Sequence, residues 1–350
     1  MKKIDLYILK NLTVNFIVFL IIVSLIMMIG NAIKIYSLLF AKGETISIIL
    51  KIMGYMTIFL SIFTIPMALT LSVNFVYTSL SKNSEIVILK SAGISLLRIY
   101  LPAFIFSIFI FLILFYDSSF LVRKAKLAYR KTIISVVKNR LYVGIKEKTF
   151  YDGLKGATIY VNGISPDHKK LNKVFFAKNS NTVIAAKHAY FVDTLDGFIL
   201  RFKDASLYSE TNNNINTGTF KVYDIDVGIN KTLNVPSYKG DTRFMNIVEL
   251  YKYFKKNHDK NAIYIINKNM VFSTSVLFLS FIAFLLGIVL ARSGKSAGII
   301  INISIFFLFY ILEMFGESLY KSYGVIWSVW LPDIVLFILA SYLFYKKSLR

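Results

Sequence analysis

Gly294-Lys295-Ser296 is the first candidate for chemistry, because Gly-Lys-Ser closes a phosphate-binding loop. The complete loop needs another glycine five positions before Gly294, a strand ahead of it and a helix behind it. Position 289 is Val289, and a long apolar run precedes it. Nucleotide binding is rejected, and the segment reads as a short basic hairpin between two apolar runs. His168, His188 and His258 are scattered without ligand spacing. No nucleophile elbow, no HExxH motif and no carboxylate pair in an evident cleft is present. The chain has no cysteine, which excludes disulfides, thiolate zinc and iron–sulfur clusters. The expectation is a chain with no catalytic residues, no metal site and no cofactor of its own.

The remaining chemistry lies in charges at unusual places. Glu313 and Glu317 stand four apart in an apolar run, so they share a helix face. Glu313 is about 24 Å of helix rise from Ala297. Carboxylates at such depth usually face a cavity or a partner, and Lys34 or Lys321 is the expected counter-charge. For Glu317 a plain interfacial position is the competing reading. Lys34 and Lys42 follow the first apolar run, and Arg123, Lys124 and Lys126 follow the third. These cations suit charge-assisted bonds to headgroup phosphates. Taken singly, each also fits ordinary snorkelling.

A third feature is the stretch 81–98. Asn83 or Ser84 is placed to cap a helix, Glu85 falls in its first turn, and Gly93 suits a left-handed end. The predicted helix has about two turns. It carries Ile86, Val87, Ile88 and Leu89, more apolar surface than a solvated loop needs. That leaves two readings open, a docking surface for another protein or an interfacial helix resting on lipid.

The elements that position these residues are set by composition. Of 350 residues, 56% are hydrophobic and 17% charged, against roughly 25% charged in soluble domains. Disorder is excluded, and the composition speaks against a purely soluble enzyme. Six apolar stretches are long enough to span a bilayer: 12–33, 46–76, 99–116, 271–291, 297–319 and 329–345. Trp327 and Trp330 suit an interfacial belt before the last, and Pro332 sits where a missing N–H costs little. Residue 12 onward is too long an apolar run for a cleavable leader and reads as the first span. The net charge is +22. In a membrane chain this points to anionic headgroups and the positive-inside rule, not to nucleic acid. The short loops with Lys2, Lys3, Lys10, Lys82, Lys90, Arg98, Arg292, Lys295, Lys346 and Lys347 are the more basic set. Both termini are therefore expected in the cytoplasm and the large insertion outside.

The insertion changes period. Residues 120–140 read as a helix continuing the third span. From Thr149 the pattern is strand-like, at 157–161, 173–177, 182–186, 198–202 and 219–223. Turn clusters separate the strands at Asp152-Gly153, Ser165-Pro166-Asp167, Asp196-Gly197 and 212–214, which suggests an antiparallel sandwich or open barrel. Ile247, Leu250, Tyr251 and Phe254 then share one face of a short amphipathic helix. The expected fold is a six-span α-helical membrane protein, three spans on each side of an inserted all-β domain. Its parts are 1–117 with a loop helix near 84–93, 118–270, and 271–350.

Several segments resemble one family. They are Ile4-Asp5-Leu6-Tyr7-Ile8-Leu9-Lys10, Ser84-Glu85-Ile86 through Ala92-Gly93-Ile94-Ser95 with Pro102, Ala291-Arg292-Ser293-Gly294-Lys295-Ser296-Ala297-Gly298, and Trp330-Leu331-Pro332-Asp333. In that order they resemble the LptF/LptG lipopolysaccharide-export permeases of the bacterial inner membrane. A proline common near the start of the family's fourth span is absent around Asn269 and Met270. The resemblance implies an ATP-driven exporter built from this chain and a second permease chain (LptF/LptG-like). A cytoplasmic ATPase dimer (LptB-like) would use ATP and Mg and would dock on the loop helix through Glu85, Ile86, Leu89, Ala92 and Gly93. Lipopolysaccharide would enter from the outer leaflet; on their own chemistry, apart from the resemblance, Lys34, Lys42, Arg123 and Lys124 are candidates at its headgroup and Glu313 and Glu317 candidates in the cavity. A periplasmic jellyroll-like domain would then pass it to bridge proteins (LptC/LptA-like).

Two other classes fit the composition. An ion-coupled secondary transporter of an anionic lipid or other amphiphile would use Glu313 as its ion site, but such folds usually show internal repeats and broken midplane helices. A lipid-modifying enzyme would need a convergent acid, base or nucleophile set near one interface.

Overall fold

The computed structural model describes residues 2–39, 46–154, 157–166, 170–178, 182–194, 197–211, 214–226, 242–289 and 295–348. Two compact units divide the chain: residues 1–126 with 242–350, and residues 127–241.

The first unit is helical. Its elements are α1 (Lys2–Leu39), α2 (Ile46–Lys82), the short α3 (Glu85–Ser91) and α4 (Leu96–Tyr116). A single π turn, Asp117–Leu121, joins α4 to α5 (Val122–Gly144), which continues into the second unit. After the insertion come α6 (Ile247–Asn257), α7 (Lys260–Val289), α8 (Lys295–Tyr323), a 3-10 turn (Ile326–Trp330) and α9 (Leu331–Ser348). Among the described residues, six helices are long and apolar enough to cross a membrane. The fourth begins at Lys260, eleven residues ahead of the apolar run that starts at 271. The added turns hold Asn261, Asn267 and Lys268, whose polar side chains hide the helix from a hydropathy reading.

In lipid the helices gain little from apolar contact alone, so small residues and interhelical hydrogen bonds decide which of them associate. Here α2 and α7 are the central pair. They approach closely at Gly287, where a Cβ would come within 3.0 Å of the Asn74 carbonyl oxygen. The Asn74 amide donates to the Ala283 carbonyl at 3.3 Å. Tyr77 donates to the Ile99 carbonyl at 2.9 Å, and the Tyr100 and Ser280 hydroxyls lie 2.7 Å apart, so α4 is tied to both. Leu12, Leu69, Val73 and Phe284 fill the core between α1, α2, α4 and α7, and Phe272, Leu279, Phe309 and Leu336 fill that between α7, α8 and α9. At the π turn, Asp117 is buried and accepts a bond from Ser61 of α2.

Among its described residues the second unit carries an antiparallel sheet of six strands in sequential order: β1 (Phe150–Leu154), β2 (Ala157–Ile164), β3 (Lys170–Lys178), β4 (Thr182–Thr194), β5 (Gly197–Thr211) and β6 (Asn214–Asp226). All five expected strands are present, and β4, β5 and β6 are longer than their apolar cores. Asp152-Gly153 lies inside β1, at a register shift, and not in a turn. One face is buried by Ile159, Phe176, Ile184, Leu200 and Phe202, with Ile145 and Val137 packed on it. Alternation places those side chains on the same side of the pleat.

Candidate functional site

The loop helix α3 forms where its apolar residues and Gly93 place it. Gly93 has φ 81 and donates to the Lys90 carbonyl, while Ile94 donates to the Leu89 carbonyl. Those two bonds are a Schellman ending, which needs a left-handed residue at the Gly93 position. The start differs from expectation. Neither Asn83 nor Ser84 caps α3, because Ser84 has φ 60 and makes no side-chain cap bond. Its N–H is still bonded to the Ser81 carbonyl, so it closes α2 in a left-handed conformation and cannot take the extended one of an N-cap. The Asn83 amide donates to Glu85 Oε1 instead, at 3.3 Å.

The two faces of α3 are unlike. Ile86 is buried and Leu89 half-buried against the helical core. Val87 and Ile88 are each 63% exposed, with Lys90, Ala92 and Gly93 exposed beside them. Of the five residues named for docking, Glu85, Ala92 and Gly93 are accessible, while Ile86 and Leu89 fasten the helix to the bundle. The sequence reading missed Val87 and Ile88 as the outward pair. The i, i+3 spacing of Ile86 and Leu89 was the signal that separates the faces.

The end of this loop is clamped to the first helix. Arg98, in the first turn of α4, makes two hydrogen bonds to Asp5 in the first turn of α1, of 3.0 and 2.6 Å. Ser95 accepts from the Arg98 N–H and caps α4. Ile4, Ile8, Leu89, Ile94 and Ile99 line a small pocket together with the two charged residues. Both side chains are about 30% exposed, so part of the pair is shielded from water.

The second candidate site lies between α7 and α8. Lys268 Nζ is 2.6 Å from Glu313 and 2.6 Å from Glu317. Lys321 completes the chain at 2.6 Å from the other Glu317 oxygen. Lys321 is the counter-charge the sequence named for Glu317. Lys268, which the sequence reading missed, is the one that holds both carboxylates. Glu313 is the more enclosed, with its side chain 10% exposed. Tyr264 and Phe272 place their rings 5.9 Å from the Lys268 ammonium, close enough for cation–π attraction. Tyr264 also stacks on Tyr320 with ring centroids 4.2 Å apart.

Polar contacts on α7 continue along its length. Trp330 donates to Asn267 at 3.1 Å, and Asp333 is buried and accepts from Thr274. The Trp330-Leu331-Pro332-Asp333 segment therefore fastens the start of α9 to α7. Gly298 lies against Asn74, where a Cβ would come within 2.8 Å of its side-chain oxygen. The residues 291–294 ahead of it lie outside the described residues.

Of the four expected headgroup cations, the side chains of Arg123 and Lys124 are described. Arg123 is buried and donates to the Thr242 carbonyl at 3.2 Å, so in this conformation it ties α5 to the returning chain. Lys124, one position on, is exposed. Lys34 belongs to the backbone of α1. Its side chain, and the whole of Lys42, lie outside the described residues.

The family model for "Lipopolysaccharide export system permease LptF/LptG" matches residues 6–346. No curated protein matches the chain.

Proposed function

The chain belongs to the LptF/LptG family of lipopolysaccharide export permeases, multi-pass proteins of the inner membrane, and from that premise we propose that it is the passive, force-receiving half of an ATP-driven lipopolysaccharide exporter. In this reading a separate ATPase dimer, using ATP and Mg, docks in the cytoplasm on the outward face of α3. The termini share that side, and the β domain stands in the periplasm. A second permease chain completes the cavity, and bridge proteins take the lipid from the β domain.

Energetics require an engine. Burying a methylene is worth about 0.8 kcal/mol, so a lipid with several long acyl chains resists leaving the bilayer by tens of kcal/mol. A cavity must rebury the chains, and its closure must then drive them on. The observation that carries the reading is α3 itself. Val87 and Ile88 stand in the open while Ile86 seats α3 on the bundle, and just beyond it the Asp5–Arg98 pair ties the start of α4 to α1. A push on the exposed face would reach α1 and α4 together.

Lys124, Lys34 and Lys42 remain the proposed contacts to headgroup phosphates, and Glu313 and Glu317 the proposed charges near the cavity. The ion-coupled alternative needs a carboxylate available to a cation, and Lys268 engages both.

Co-purification of the chain in detergent, with mass spectrometry of the bound proteins and lipids, tests the proposal. An ATPase and a lipopolysaccharide among them support it. Ion-dependent uptake of an amphiphile by the chain alone contradicts it.

A further inference from the structure

The helix α6 has a face that the packing of the chain leaves open. Leu250 is its one buried residue, and Ile247, Tyr253 and Phe254 are half-buried. Tyr251, which shares the apolar face by spacing, turns out 62% exposed, and Val248 is 49% exposed. At 100° per residue these two lie on one arc with Lys252, Lys255 and Lys256, all exposed. The single acidic residue of the helix is Glu249, and it is occupied. Its carboxylate accepts from the Asn246 N–H at 3.0 Å while Asn246 accepts from the Glu249 N–H at 2.9 Å. This capping box fixes the start of α6, and His258, with φ 51, ends it.

The level of this helix follows from α7. Only His258 and Asp259 separate α6 from α7, and Asp259 accepts from the Asn261 N–H at the start of the latter. Trp330 bonds Asn267, Tyr264 and Tyr320 share its part of the core, and Trp327 is exposed in the same 3-10 turn as Trp330. Tryptophan and tyrosine collect where hydrocarbon gives way to headgroups. Lys260 is seven residues from Asn267, about 10 Å of helix rise. The headgroup layer is roughly 5–8 Å deep on each side of the hydrocarbon. The joint between α6 and α7 therefore sits at the edge of that layer, with lysine stems long enough to reach down into it.

We propose that α6 is an interfacial helix that seats Val248 and Tyr251 among the headgroups of an anionic leaflet and pairs Lys252, Lys255 and Lys256 with their phosphates. A helix with apolar anchors and lysines on one arc binds a membrane surface by both means. The inference rests on the membrane crossing of α7 and is independent of the cargo or the ATPase.

Site-specific labelling is clean because the chain has no cysteine. Val248→Cys and Tyr251→Cys, introduced singly into the full chain and spin-labelled, are reconstituted in phosphatidylcholine vesicles with and without phosphatidylglycerol. With phosphatidylglycerol, the labels are expected to meet oxygen but to be shielded from a water-soluble nickel chelate. Without it, or with Lys252→Glu, Lys255→Glu and Lys256→Glu combined, the nickel chelate is expected to reach them. At about 5-fold per lysine, the triple change shifts the seated-to-lifted ratio by roughly 100-fold. Three results would overturn the proposal: nickel access in both vesicles, shielding from both reagents as under a protein partner, or seating with no dependence on lipid charge.

Discussion

Arg98 grips Asp5 through two parallel hydrogen bonds, joining the beginning of α4 to the beginning of α1 across 93 residues of sequence. The fork geometry is specific to guanidinium and carboxylate. It ties the first turn of α4 to the first span, and Leu89 of the loop helix lines the same small pocket as the pair.

Asp5→Arg and Arg98→Asp are each expected to lower lipopolysaccharide export, because a like-charge contact replaces the clamp. The two together restore the attraction and should recover most of the export, while ATPase binding stays unchanged throughout. Export assays of the single and double variants, with co-purification of the ATPase, measure this. A double variant no better than either single one would show that the pair does not carry the coupling.

At the α7–α8 site the order of effects is the prediction. Lys268→Met leaves Glu313 and Glu317 facing each other with their shared cation gone. It should destabilise the chain by about 2–3 kcal/mol, somewhat less than a fully buried broken pair. Glu313→Gln leaves Lys268 paired with Glu317 and should cost less. Thermal unfolding in detergent ranks the two, and equal stability would remove Lys268 from the role of hub.

Two glycines on central helices should respond oppositely. Gly287→Ala drives a methyl against the Asn74 backbone, which cannot move aside, at an expected cost of about 1–3 kcal/mol. Gly54→Ala meets nothing within 4 Å and should gain about 0.5–1 kcal/mol by stiffening α2. The same unfolding measurement compares them.

Neighbouring cations should also separate. Arg123→Ala loses the buried bond to Thr242 and is expected to destabilise by about 1.5–3 kcal/mol. Lys124→Glu should leave unfolding unchanged but reduce photo-crosslinking to lipopolysaccharide several-fold. Crosslinking unaffected by Lys124→Glu would remove it from the headgroup site.

Much of this architecture is legible in the residue order. Six apolar runs, the helix that continues the third span and the short helix ending at Gly93 follow from period and glycine placement. The five strands follow from alternation between turn clusters. What escaped has a common cause, namely that tertiary partners change the meaning of a polar residue. Lys268 gives no signal of its own because it precedes the apolar run, yet it lies inside a helix that begins at Lys260 and pairs with Glu313 and Glu317. The bond from Arg123 to a carbonyl 119 residues away likewise has no local signal in the sequence. Ser84 read as a helix cap because of its type, and the preceding helix claims it first.

The claim on which the account turns is that force enters through the exposed face of α3. Its direct test is Val87→Asp with Ile88→Asp in the full chain. The measurements are the amount of ATPase that co-purifies and the ATP-driven release of lipopolysaccharide from reconstituted vesicles. The account predicts a folded chain with its thermal unfolding unchanged, the ATPase lost and release reduced at least about tenfold, the effect of 1.4 kcal/mol or more at the contact. Undiminished release by this variant, or release by the native chain with no ATPase present, would contradict it.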